Sequence, residues 1–158
     1  MLALAIAWAA PAGAQPAFLE AVARGDHVLA AFPLAPGERW CVLWHHSVQG
    51  FEVRDCYVYR DDRMVLERSH QPDYAAGLGP VVGRGRPRSD GRGGYWIEDI
   101  DEPVPGDGYI LRVGSSRVDH RIAAGGRIVS LSALAAGEAV TIRVYRSDET
   151  RHEDTSQP

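Results

Sequence analysis

The side chains with the chemistry to act are gathered in one stretch. Residues 40–57, WCVLWHHSVQGFEVRDCY, hold two imidazoles at His45 and His46, a hydroxyl at Ser47 and a carboxylate at Asp55. His120, much later in the chain, adds another imidazole. Hydroxyl, imidazole and carboxylate are the parts of a nucleophilic triad, and two imidazoles with a carboxylate are a zinc-type ligand set. The spacing supports neither strongly. His46 and Ser47 adjoin each other, adjacent strand residues point to opposite faces, and no Gly-x-Ser-x-Gly elbow surrounds the serine. No close ligand motif joins His46, His120 and Asp55 as a metal site. The commonest fate of such groups is a hydrogen-bonded network inside a core, because an unpaired buried polar group costs about 2–7 kcal/mol.

These residues are positioned by a β-hairpin. Two apolar, aromatic-rich runs flank the link Ser47-Val48-Gln49-Gly50, whose glycine marks a hairpin loop. A four-residue link sets His46 against Phe51, Trp44 against Val53, Val42 against Asp55, and Cys41 against Cys56. One face then carries Trp40, Val42, Trp44 and His46 with Phe51, Val53, Asp55 and Tyr57, so His46 and Asp55 are the polar exceptions on an apolar surface. In residues 117–122 the alternation of Val118, His120 and Ile122 likewise puts His120 among apolar neighbours. A pocket would use His46 and His120 as ligands or bases, Asp55 as the group that orients them, and Ser47 at its rim. Opposed Cys41 and Cys56 could form a disulfide in an oxidising compartment or remain two small buried thiols.

The rest of the chain reads as strands that cover the hairpin. At 158 residues the length suits one domain with a proper core. The net charge of −4 comes from scattered acidic groups, which argues against a nucleic-acid partner. All basic residues apart from histidine are Arg. Residues 2–11 form a short apolar run, and Ala12-Gly13-Ala14 fits a small-x-small cleavage site, so residues 1–14 read as a signal peptide although no Arg or Lys precedes the run. The alternative is a buried N-terminal element; at ten residues the run is too short to span a bilayer, which takes ~20. A weak helix is expected over 17–24, then strands over 27–34, 63–69, 95–98, 108–113, 117–122, 127–131 and 139–145, with turn residues between them. The pattern predicts an all-β fold: one antiparallel β-sandwich or partly open barrel of about eight or nine short strands over residues 15–145, followed by a disordered tail at 146–158. Residues 83–94, with Arg84, Arg86, Arg88 and Arg92, read as a surface loop that could grip an anion. The acidic run 98–102 lacks the regular oxygen spacing of a calcium loop.

The segment His46-Ser47-Val48, the acid at Asp55, Ala75-Ala76-Gly77-Leu78-Gly79-Pro80, and Leu111-Arg112-Val113-Gly114 followed by His120 resemble the domain of unknown function 1850 family. This family comprises small proteins often encoded beside TAXI-type TRAP transporters. The resemblance spans about residues 38–145, and the chain carries Gln49 and Asp55 where the family pattern usually has an acidic residue and Glu. It implies an exported, periplasmic or membrane-associated accessory module, with transporter membrane subunits or a solute-binding protein as partner. It also implies a link to uptake of small organic anions or amino acids, without a cofactor or a catalysed reaction. The expected site is the hairpin tip with His46 and Ser47, bordered by Gly77 and Gly79, whose backbone N–H groups could approach a carboxylate. An enzyme using His46, His120 and Asp55, or a structural envelope domain without ligand, are the alternatives.

Overall fold

The computed structural model describes residues 16–71 and 83–147. Two antiparallel sheets pack face to face, as the alternating pattern predicts. The smaller has the order β2-β1-β12-β9, built from β1 (Ala17–Ala23), β2 (His27–Leu34), β9 (Gly108–Arg112) and β12 (Ala139–Arg146). The larger runs β11-β10-β3-β4-β5-β7-β6. Its strands are β3 (Arg39–His45), β4 (Glu52–Arg60), β5 (Arg63–Gln71), β6 (Arg86–Ser89), β7 (Tyr95–Glu98), β10 (Arg121–Ala124) and β11 (Arg127–Ser130), with β8 (Glu102–Pro103) alongside β5. The described residues thus form 12 strands, more than the eight or nine expected. They hold one short helix, α1 (Leu131–Ala135), started by Ser130, whose Oγ accepts from the Ala133 N–H at 3.2 Å. No helix among them is long and apolar enough to cross a membrane.

The main core lies between the sheets. Leu19, Phe32, Val140, Ile142 and Val144 of the small sheet meet Trp40, Val42, Tyr57, Tyr59, Met64 and Ile122 of the large one. A second cluster of Tyr95, Ile97 and Ile100 sits further along the large sheet, and Leu66 packs against both clusters. The large sheet therefore outreaches its partner, whose edge strand on that side is β9.

The weak helix expected over 17–24 is strand β1. It pairs with β2 on one side and β12 on the other, so its backbone groups are satisfied by neighbours, and Leu19 and Ala21 are fully buried. Tertiary pairing overrides the mild helix preference of an alanine-rich segment. The strand expected over 117–122 begins only at Arg121. Before it the chain turns, with Val118 and Asp119 N–H groups donating to the Ser115 carbonyl. The glycine- and arginine-rich loop of 83–94 contains β6, paired with β7. Three of its four arginines face the acidic run: Arg84 meets Glu102 at 2.8 Å, Arg88 meets Glu98 at 3.5 Å, and Arg86 pairs with Asp99. Two features that read separately as an anion grip and a calcium loop thus neutralise each other. The segment 1–14 and residues 148–158 of the expected tail lie outside the described residues, while Arg146 closes β12.

Candidate functional site

The hairpin register is the one its sequence predicts. His45 faces Glu52, Trp44 faces Val53, Val42 faces Asp55, and Cys41 faces Cys56. The two cysteines are joined by a disulfide, with Cα atoms 4.0 Å apart. At the tip, the Gly50 N–H returns to the His46 carbonyl at 2.8 Å, and Gly50 takes φ 74°, a left-handed conformation natural to glycine. His46 Nδ1 accepts from the Val48 and Gln49 N–H groups at 3.4 and 3.3 Å, and its ring lies 5.1 Å from Phe51. Ser47 is exposed in the turn.

His120 belongs to a different network. Its Nδ1 accepts from the Gly114 N–H at 2.8 Å, which leaves the ring proton on Nε2. Its own N–H donates to Ser132 Oγ at 2.9 Å, and that hydroxyl donates to the Gly114 carbonyl at 2.8 Å. Burial lowers the imidazole pKa, against the opposing charge of Asp119, so this histidine stays neutral. Gly114 has no room for a side chain, since a Cβ there would stand 2.6 Å from Val118 Cβ. The ring sits 6.1 Å from Trp44, and the whole arrangement ties the 114–120 turn to α1.

The expected grouping of His46, His120 and Asp55 is therefore not formed. Each has separate partners, and among the described residues no three His, Cys, Asp or Glu side chains could hold one metal ion. At the hairpin tip the His46 N–H donates to the Phe51 carbonyl at 2.8 Å, and Ser47, Val48, Gln49 and Gly50 are exposed. Gly77 and Gly79 lie outside the described residues.

Asp55 instead anchors a polar cluster on the inner face of the large sheet. Across the strands, one row reads Ile122, Val42, Asp55, Ser69 and Ile97. Its third and fourth members, Asp55 and Ser69, thus fall between the two apolar clusters. Ser69 Oγ donates to Asp55 Oδ1 at 2.6 Å, and Gln71 Nε2 donates to Ser69 Oγ at 2.9 Å. Ser69 and Gln71 are 5% and 8% exposed, and Gln71 Oε1 has no hydrogen-bond partner. Next to Asp55 along β4 comes Tyr57, stacked between Trp40 at 5.7 Å and Tyr109 of β9 at 5.9 Å. Burial pushes the Tyr57 phenol up to about 12 and that of Tyr109 well above its ordinary value, so both remain protonated. Burial also raises the Asp55 pKa, opposed by the Ser69 hydrogen bond and the charge of Arg84. That guanidinium is itself bidentate on Glu102, at 2.8 Å for each bond.

The hairpin alternation puts Asp55 and Tyr57 on this face, but nothing in the sequence joins Ser69, Gln71, Arg84 and Tyr109 to them. The serine and glutamine were hidden by a β-bulge. Tyr57 pairs with Leu66 while Cys56 pairs with Arg68, so Glu67 is an extra residue. Before it, Met64 and Leu66 point inward; after it, Ser69 and Gln71 do. A strict alternation would have placed Arg68 and His70 there instead.

The cluster brings a carboxylate, an amide and two phenols together on a mostly apolar floor. The family model described as a domain of unknown function (DUF1850) matches residues 41–131, more than half of the chain. That span takes in the hairpin from Cys41 onward, Ser69, Gln71, Tyr109, Gly114 and His120, and ends one residue before Ser132. Comparison with curated proteins and with solved structures finds no match.

Proposed function

The chain belongs to the domain of unknown function 1850 family, and from that premise and the Asp55 cluster we propose that it is an exported accessory domain of a TRAP-type (TAXI) uptake system. In this reading it holds a small organic molecule between its sheets and docks on the transporter's membrane subunits or solute-binding protein. It catalyses no reaction. The observation that carries the binding role is the Gln71 amide oxygen, buried and unpartnered beside the Asp55–Ser69 pair. An orphaned buried acceptor costs about 1–3 kcal/mol, and a bound donor removes that cost. Export is supported by the Cys41–Cys56 disulfide, a bond that persists mainly in oxidising compartments. The hairpin tip suits docking better than ligand binding, since Val48 at its end is 77% exposed.

The test is co-purification of the tagged protein from detergent-solubilised membranes of its own host, read by mass spectrometry. Transporter subunits or a solute-binding protein should be recovered, and recovery should fall in a variant carrying His46→Ala, Ser47→Ala and Val48→Ala. Recovery of neither class of partner at native expression levels would overturn the accessory role.

A further inference from the structure

We propose that the end of the small sheet beside the β1–β2 turn (Arg24–Asp26) binds a free amino acid with an apolar side chain. Arg24 and Arg112 take its carboxylate, Asp26 and Glu138 its ammonium, and Ile110 its side chain. The site is separate from Asp55 and goes beyond the function proposed above.

Two adjoining hollows of about 260 and 360 Å³ lie at this end, with Arg24 and Ala139 in the walls of both. Strand order brings their residues together. Strands β1 and β9 flank β12, so the turn after β1, the start of β12 at Ala139 and the end of β9 at Arg112 meet at one edge. The smaller hollow adds Asp26, Ile110, Thr141 and Arg143, and the larger adds Arg112 and Glu138.

The charges in these walls are left open. Elsewhere the chain matches charge with charge, as in Arg39 with Glu67, Arg60 with Asp101 and Arg121 with Glu52. Here the side chains of Arg24, Arg112, Asp26 and Glu138 make no hydrogen bond and no ion pair, so opposite charges line one concavity without touching. Arg143 differs: its Nε and Nη2 sit on buried Glu20 at 3.1 and 2.9 Å, which offsets its charge and leaves Nη1, with the Thr141 hydroxyl, as further donors. The uncommitted charges are two guanidiniums and two carboxylates. A simple anion would meet both carboxylates, and a simple cation both guanidiniums; a zwitterion answers all four. Guanidinium forks match a carboxylate, and an ammonium supplies three donors. Ile110 is 74% exposed in the same wall as Val22 and Ala139, so an apolar ligand side chain would cover surface that now faces water. All four charged groups are exposed, which gives access from solvent and, through screening by water, a low affinity.

The experiment is calorimetric titration of the full-length protein with leucine, 4-methylpentanoate and 3-methylbutylamine. These share one apolar side chain and carry both charges, the carboxylate alone and the ammonium alone. Leucine should bind with a Kd of about 1 mM or lower, and each analogue about tenfold more weakly. Arg24→Gln combined with Arg112→Gln should bring leucine down to the level of the amine without weakening the amine. Asp26→Asn combined with Glu138→Gln should bring it down to the level of the carboxylate. The substituted positions are exposed, and thermal melts check that the variants fold. An analogue that binds as tightly as leucine would overturn the zwitterion assignment, and so would no binding of leucine up to about 10 mM. Leucine binding that survives the Arg24 and Arg112 changes but is lost in Asp55→Asn would overturn this site and favour the Asp55 cluster. The co-purification result decides separately whether the accessory role survives.

Discussion

Replacing Ser132 by alanine should damage the fold far more than its small size suggests. Its hydroxyl bridges the His120 N–H, at 2.9 Å, and the Gly114 carbonyl, at 2.8 Å. Ser132 is 6% exposed and His120 8%, so water does not readily replace the lost oxygen. Alanine leaves one donor and one acceptor unsatisfied in the interior. Each costs about 1–3 kcal/mol, and the pair about 2–4 kcal/mol when the turn relaxes partly. The assay is equilibrium denaturation by urea, comparing midpoints at unchanged slope. Ser47→Ala, in the exposed hairpin turn, is the matched control and should stay within about 0.5 kcal/mol of the parent. A Ser132→Ala loss below about 0.5 kcal/mol would refute the reasoning. It would mean that the His120 network does not hold the 114–120 turn against α1, and His120 would again be open to another role.

Two further effects follow from the disulfide and from Asp55. The Cys41–Cys56 bond closes a separation of 15 residues, so changing both cysteines to serine should lower stability by about 3 kcal/mol on the chain-entropy model; denaturation of parent and variant, with and without reductant, checks it. Asp55 has a folded-state pKa above its unfolded value, so its contribution is fully favourable below the unfolded value and is lost as pH rises through the folded one. Asp55→Asn should therefore be more stable than the parent near pH 7, with the advantage vanishing below about pH 4. Equal melting temperatures at neutral pH would contradict the burial of that carboxylate.

The sequence by itself determined the sheet-rich fold, the hairpin with its pairing, and the opposition of Cys41 and Cys56. These depend on local rules: side chains alternate with a period of two, and a glycine-containing link of four residues fixes the register. It also marked Asp55 and His120 as polar residues on apolar faces, and both are partly or fully buried. Only the tertiary structure decided which polar groups meet. The bulge at Glu67 reverses the facing of β5, and nothing in the composition of residues 63–71 announces an extra unpaired residue. Tyr109 reaches Tyr57 because β9 is the edge of the opposite sheet, a fact of strand order that no local pattern encodes. His120 and Asp55 share a sheet face in the alternation, yet the chain turns before Arg121. The imidazole is thereby given to Gly114, with Ser132 bridging the two backbones, instead of to a site with the carboxylate. Periodicity says which way a side chain points; only packing says what it finds there.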